Sequence, residues 1–492
     1  MSALGLAMFG CALLAMIATG LPVYAVLLGV SVAFSALGVA LGVFDLALLT
    51  ALPSRLVGLL EHDLLQALPL YAFIGALLNR LPLASLLHRT GERLFRRSRA
   101  SAELSALVVG ALLAPMNGSV GASLHMLSKR IAPALRARGV SSAQATATVA
   151  VASTMGVVIP PSLVLLLLGD AMMRAHTEAQ TLAHTAVRTV NTQDLMRAVL
   201  VPGVIVLVIA LALAAWRGRG HGTRASAAPH AAGELSRGET TTAAATVLVI
   251  AGLLIGVTTG RLFAVEAAAT GGLALLVCAV AGRQLDKALL RGVLDDTLLL
   301  TGLLLALLVA ATTFSLVLRA YGTDAWVAQQ LGTLSGQPML LLAATLAGLV
   351  VCAFVLDAFE MIFLVVPLVM PPVLAATTDA AWVGALVLLV LQLGFLLPPF
   401  GYAVVMSRGA VPDAPSMRAL ARALAPQLLC QAVLIGAVLA WPQVTQWARP
   451  ADLANADATL DEDAVERLMR AGGGRSTIDE SAIPAAASSA AR

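Results

Sequence analysis

Apolar runs of membrane-spanning length recur along this chain, near 4–20, 22–43, 64–79, 141–173, 198–216, 241–259, 262–282, 297–318, 381–407 and 423–443. A helix needs roughly 17–25 such residues to cross the hydrocarbon layer. The 492 residues are 59% hydrophobic and only 12% charged, against about 25% charged in soluble proteins. So much apolar surface has no place in water, and the bilayer is the solvent. Strands of a membrane barrel would alternate apolar and polar residues. That pattern is absent, so the expected class is an all-α polytopic membrane protein.

The four cysteines, Cys11, Cys278, Cys352 and Cys430, lie in apolar runs without metal-ligand spacing and read as small core hydrophobes. The net charge of +4 comes from basic residues in loops beside the spans. It points to orientation in lipid, not to nucleic acid. The first twenty residues lack a basic start and read as a retained first helix.

Two apolar stretches are not plain spans. Residues 103–127 carry Asn117-Gly118-Ser119 at their centre, and residues 338–372 carry Asp357 and Glu360. Both read as hairpins that enter the membrane and turn back. Two further spans are interrupted by proline pairs, Pro160-Pro161 in 141–173 and Pro398-Pro399 in 381–407. Proline removes a backbone donor and clashes with the preceding helical turn. The two pairs are 238 residues apart, and the same offset carries Pro133 onto Pro371 and Ser119 onto Asp357. The chain therefore reads as two structural repeats.

Charge orients them. Residues 80–138 hold ten Arg and Lys, and residues 319–372 hold Arg319 alone. Basic loops stay cytoplasmic, so the first hairpin opens to the cytoplasm and the second to the far side. Inverted repeats with broken helices at mid-membrane mark secondary transporters. Freed carbonyls are hard oxygen ligands suited to Na⁺, and half-helix N-termini suit a carboxylate. Kinks that serve packing alone are the alternative.

Individual residues carry two readings. Asp357 is a functional candidate as an ionisable group within a span, or a cap for the hairpin turn. Glu360 reads equally as functional or structural, Asp170 reads as structural at the interface, and Arg319 attracts an anion or anchors a helix end. Ser119 and His125 are six residues apart and would face different sides of a helix. With no GxSxG or HExxH motif, an intramembrane hydrolase is a minor alternative, and an ion channel is another.

The expected organisation is scaffold helices over 1–79, an amphipathic surface helix over 80–102 with Leu83, Leu86, Leu87 and Leu94 on its apolar side, and a first repeat core over 103–216. A flexible cytoplasmic linker over 217–240, with His221 and His230 as solvated loop residues, leads to scaffold helices over 241–337. A second repeat core over 338–447 and a disordered tail over 448–492 complete the chain.

The segments "APMNGSVGAS" (114–123), "ALRARGVSSAQATATVAVASTMGVVIPPSLVLLLLGD" (134–170), "VLDAFEMIFLVVPLVMPP" (355–372) and "LQLGFLLPPFGYAVVMSRGAV" (391–411) resemble the large membrane subunit of tripartite ATP-independent periplasmic (TRAP) transporters. Within that family they look most like the mannitol/chloroaromatic-type branch. The resemblance implies an elevator-type, Na⁺-coupled importer in the bacterial inner membrane, taking up an organic acid such as a C4-dicarboxylate. It implies no enzymatic activity and no cofactor beyond the coupling ion. It also implies two partners, a soluble periplasmic solute-binding protein and a small four-helix membrane subunit, the latter separate because this chain begins with the large subunit's helices.

Position by position, the resemblance assigns solute and ion binding to Asn117, Gly118, Ser119, Ser153, Thr154, Gly156, Pro160, Pro161 and Ser162 in the first copy. In the second it assigns Asp357, Gln392, Gly394, Pro398, Pro399 and Gly401. Na⁺ ligands are expected among Asn117, Ser119, Asp357 and Gly394. The first tip departs from the family's usual Ser-Gly-Ser by having Asn117 first. After Gln392, Leu393 and Gly394 replace hydroxyl residues, so backbone carbonyls are left to hold an ion there.

Overall fold

The computed structural model describes residues 2–448 apart from 46, 48, 49, 62, 184–189, 221–235, 283, 335, 378, 412 and 413. Most of the 217–240 linker, with His221 and His230, and almost all of the 448–492 tail lie outside the described residues. The regular elements of the described residues are all helices. Eight are long and apolar enough to cross a membrane, and up to ten are if each of two bent pairs counts as one span.

Four helices open the chain: α1 (Ser2–Thr19), α2 (Val23–Ala40), α3 (Ala51–Leu60) and α4 (Asp63–Arg80). The chain then bends by 66° into α5 (Leu83–Leu94). Its buried face is Leu83, Leu86, Leu87 and His88, laid on the next helix. Leu94, expected on that face, is instead 78% exposed. It is the last residue of α5, beyond the reach of the helix beneath.

The first copy follows. Its hairpin has arms α6 (Ser101–Leu113) and α7 (Val120–Arg130), the second continued by α8 (Ala132–Ala137). Its broken helix is α9 (Ser142–Val158) and α10 (Leu163–Ala183), bent by 41°. A long span, α11 (Thr192–Gly220), completes this part. Next come α12 (Arg237–Thr258), α13 (Ala264–Ala281), α14 (Lys287–Ala320) and α15 (Thr323–Gly332). The described ends of the 217–240 stretch thus belong to helices. Hydropathy had located only the apolar centre of α14, because its first turns, "KALLRGVLDD", are polar.

The second copy has hairpin arms α16 (Pro338–Cys352) and α17 (Ala358–Glu360), the latter continued through a π turn at Met361–Val365 into α18 (Val366–Ala376). Its broken helix is α19 (Ala380–Leu396) and α20 (Tyr402–Gly409), and α21 (Met417–Ala440) and α22 (Gln443–Gln446) end the described chain.

From the hairpin tips to the breaks, the 238-residue offset runs without an insertion. It carries the start of α9 at Ser142 onto the start of α19 at Ala380, and the end of α9 at Val158 onto the end of α19 at Leu396. The caps obey it as well. Ser141 accepts from the Gln144 amide (3.3 Å), and its counterpart Asp379 accepts from the Ala381 and Trp382 amides (3.1 and 3.0 Å). Such side chains satisfy amides that a helix start leaves unpaired. The fold is two inverted copies of one unit, each with a re-entrant hairpin and a proline-broken helix.

Nearly every side chain of α9 and α19 is buried, as expected for α19, which is apolar almost all round, and achieved in α9 with small residues and hydroxyls among the apolar ones. They pack on each other and carry the hairpins, α6 on α9 and α16 on α19. Around this core, α1, α2, α4, α12, α13 and α14 pair among themselves. Their outer faces leave Leu14, Leu248, Leu298 and Leu299 exposed to lipid.

Candidate functional site

The first hairpin turns through a 3₁₀ segment, Pro115–Asn117, followed by Gly118 with φ of 74°. That left-handed backbone favours glycine. Ser119 then caps α7, its hydroxyl oxygen accepting from the Ala122 amide at 3.0 Å. Asn117 is fully buried, and its Nδ2 donates only to Met126 Sδ at 3.8 Å. Its Oδ1 has no hydrogen-bond partner among the described residues. Such an orphan acceptor is uncommon in a folded interior. On α4, the absent side chain of Gly75 admits the Asn117 carbonyl, which lies 2.8 Å from where a Cβ would stand.

The second tip has the same design with a stronger cap. Asp357 Oδ1 accepts from the Phe359 and Glu360 amides (2.9 and 3.1 Å), and Glu360 Oε2 accepts from the Asp357 amide (2.9 Å). This reciprocal capping box, with the Phe359 bond, pairs three amides that would otherwise be orphaned in the membrane. Asp357 Oδ2 stands outside these bonds.

At the first break, Ile159 turns extended and the Pro160–Pro161 bond is cis. Ser162 restarts the helix, its oxygen accepting from the Leu165 amide at 3.1 Å. Ser153 and Thr154, both fully buried, donate to the Ala150 and Val151 carbonyls (2.8 and 2.9 Å). Their lone pairs remain to accept or to ligate. Gly118, Ser119, Ser153, Gly156 and Ser162 line one narrow pocket between the hairpin tip and the break.

At the second break, Leu397 is extended and Pro398–Pro399 is cis. Gly401 begins α20 without a side chain to cap it. The carbonyl oxygens of Phe395, Gly394 and Leu397 lie 2.6, 2.8 and 2.8 Å from the point where a Gly401 Cβ would stand. Three oxygens thus converge on a space kept clear by a missing methyl.

Gly156 and its counterpart Gly394 do the same work. A Cβ on Gly156 would stand 2.6 Å from the Ala114 carbonyl, and one on Gly394 would stand 2.7 Å from the Ala353 Cβ. Each glycine lets the broken helix press against the end of its hairpin's first arm.

Gln392 sits where the copies meet. Its Oε1 accepts from Gln431 Nε2 on α21 at 3.0 Å, and its Nε2 approaches Met155 Sδ of α9 at 4.0 Å. Its amide is therefore tied into an interhelical bond.

Tyr402 escaped the reading of the sequence. Its hydroxyl lies 2.7 Å from the Cβ position of Gly121 on α7, and its ring meets Phe395 edge to face at 6.1 Å. It links α20 to the first hairpin. The only signal was its place directly after Gly401. Arg319 pairs with Glu178 at 3.0 Å, and Asp170 with Arg174 at 2.9 Å.

The family model for the DctM component of tripartite ATP-independent periplasmic transporters matches residues 10–444. The sialic acid TRAP transporter large permease protein SiaM of Vibrio cholerae is 23% identical over 424 residues, 85% of this chain and 94% of that protein. A putative TRAP transporter large permease protein of Haemophilus influenzae is 19% identical over 380 residues, 77% of this chain and 90% of that one. Among solved structures, the YdaH transporter of Alcanivorax borkumensis has a TM-score of 0.56 at 14% identity, covering 82% of this chain and 90% of its own. MtrF of Neisseria gonorrhoeae, described within a class of antimetabolite efflux pumps, has a TM-score of 0.52 at 13% identity, with coverage of 80% and 83%. These two likenesses concern the fold alone.

Proposed function

We propose, from the premise that this chain belongs to the DctM family of tripartite ATP-independent periplasmic transporters, that it imports an organic acid coupled to Na⁺. Members of that family are multi-pass inner-membrane permeases of secondary transporters, not enzymes. They work with a small membrane subunit and a periplasmic binding protein. Family membership sets the hydrolase and channel readings aside.

The coupling reading rests on one observation above the rest: the three carbonyls around Gly401. Uncharged backbone oxygens converging on one point suit a hard monovalent cation. The orphan Asn117 Oδ1 offers an equivalent oxygen at the other tip. On this reading Na⁺ seats at the tips and breaks, with Ser119, Ser153 and Asp357 Oδ2 as further oxygens. The solute carboxylate lies between them, facing the starts of α10 and α20.

The organic-acid reading is supported by the SiaM relative, whose named solute is sialic acid. Access alternates as hairpins and broken helices travel, in elevator fashion, against the frame of α4 and α14. The branch of the family is read as mannitol/chloroaromatic-type from "LLGD" after the first break and "FLLPPFGYA" around the second.

The test is uptake of labelled organic acids into vesicles carrying this chain, its small subunit and a cognate binding protein. Uptake that follows an inward Na⁺ gradient and collapses when K⁺ replaces Na⁺ is the expected result. Equal uptake in K⁺ with a proton gradient would sink the coupling.

A further inference from the structure

Beyond the tips and breaks, the structure holds a second built cavity. It is a cleft of about 340 Å³ between α10, α14, α3 and the π turn of the second hairpin. Its volume falls within the range of about 300–1,000 Å³ typical of ligand pockets. One wall is a single face of α14: Leu308, Thr312, Ser315 and Arg319. The opposite wall is a single face of α10: Leu167, Asp170, Arg174 and Glu178. Both sets follow helical spacing, so each helix turns one stripe into the cleft.

The stripes are graded. Leu308 and Leu167 lie at the deep end, toward the first hairpin tip, where Leu163 and Leu300 flank Gly118. At the outer end Arg319 Nη2 donates to Glu178 Oε2 (3.0 Å), joining the two walls. One turn deeper on α10, Arg174 pairs with Asp170 (2.9 Å). Arg55 of α3 faces the same cleft and forms no ion pair among the described residues. The Ser315 hydroxyl has no hydrogen-bond partner there either, whereas Thr312 donates to the Leu308 carbonyl (2.8 Å).

Three guanidiniums and two carboxylates on one cleft leave a positive excess. The protein's own carboxylates display the chemistry that those guanidiniums accept. We propose that this cleft is an anteroom for a carboxylate-bearing solute, separate from the site at the tips, in which Glu178 and Asp170 are placeholders. An arriving carboxylate meets Arg55 and Ser315, takes Arg319 from Glu178, and then takes Arg174 from Asp170 one turn further in. Ile362, Phe363 and Pro367 of the second hairpin give the rest of the solute an apolar wall. Arg174 and Arg319 are compensated before the solute arrives, which matters where charge is expensive. The proposal rests on the reading of the solute as an organic acid.

The test reads the cleft's charge without transport. Ser315→Cys, with Cys11, Cys278, Cys352 and Cys430 replaced by alanine, is placed in membrane vesicles containing the whole chain and its small subunit. Thr312→Cys, deeper in the cleft, is a second reporter should the first fail to accumulate. Each is labelled with anionic sulfonatoethyl and cationic trimethylammonioethyl methanethiosulfonate, and each rate is divided by that reagent's rate with 2-mercaptoethanol. The anionic reagent is expected to be favoured by about tenfold, the focusing that a charged cleft gives. Arg319→Gln and Arg55→Gln should bring the ratio toward one, and Glu178→Gln should raise it. Millimolar N-acetylneuraminate should slow labelling where equimolar mannitol does not.

No anionic preference, a fall on Glu178→Gln, or equal protection by mannitol overturns the anteroom. Those results leave Na⁺-driven uptake standing. Failed uptake with intact charge selectivity sinks the transport reading alone.

Discussion

Gln431 of α21 donates from Nε2 to Gln392 Oε1 at 3.0 Å and to the Leu389 carbonyl at 3.2 Å, in a fully buried setting. A candidate ligand from the second broken helix is thereby fastened to a neighbouring span. Removing one partner strands a buried acceptor, at about 1–3 kcal/mol. Gln431→Leu is expected to lower the melting temperature of the solubilised protein. The Gln392→Leu/Gln431→Leu pair should recover most of that loss, since matched apolar replacement strands nothing. A double variant less stable than the single one would refute this account.

Asn117 separates ion binding from packing. Its Oδ1 has no partner to lose, so Asn117→Ala should leave thermal stability nearly unchanged. Loss of one cation oxygen should raise the Na⁺ concentration for half-maximal uptake by about tenfold, if it is worth roughly 1.4 kcal/mol. An unaltered Na⁺ dependence removes Asn117 from the ion site.

Asp357 is resolved by a substitution that its counterpart supplies. Serine caps the first hairpin at residue 119. Asp357→Ser should therefore keep the cap, while Asp357→Ala should destabilise the tip by about 1 kcal/mol. If Oδ2 also holds Na⁺, Asp357→Ser folds normally and transports poorly. Wild-type uptake by Asp357→Ser would leave the carboxylate with a cap's role only.

Gly401→Ala puts a methyl among the carbonyls of Gly394, Phe395 and Leu397, at 2.6–2.8 Å. The oxygens must move apart. Na⁺-driven uptake is expected to disappear while the protein still reaches the membrane. Normal Na⁺ dependence would show that this convergence of oxygens holds no ion.

The repeat was legible because proline and capping chemistry are local. Pro160 with Pro398 and Ser119 with Asp357 could be matched in the bare sequence, and the structure gives each pair the same task. The glycine pair Gly156 and Gly394 was also within reach, though not the reason for it: what a missing Cβ admits depends on the partner backbone. Long-range polar contacts left no trace at all. Nothing in the neighbourhood of Gln392 announces Gln431, and nothing around Arg319 announces Glu178, because those partners are brought close only by the packing of separate helices. The ends of spans were hidden for another reason. Hydropathy registers the lipid-facing centre of α14 and is blind to its polar first turns, which a cap at Asp286 begins.

The contacts at Gly156 and Gly394 bear on which parts of the molecule are locked together. With Ala114 and Ala353 pressed into the absent methyls, neither re-entrant arm has slack to lift away like a lid. Opening one alone would pull a backbone out of its socket and leave a void behind it. Shape alone thus holds each hairpin arm to its split span, so that a change at one is felt at the other.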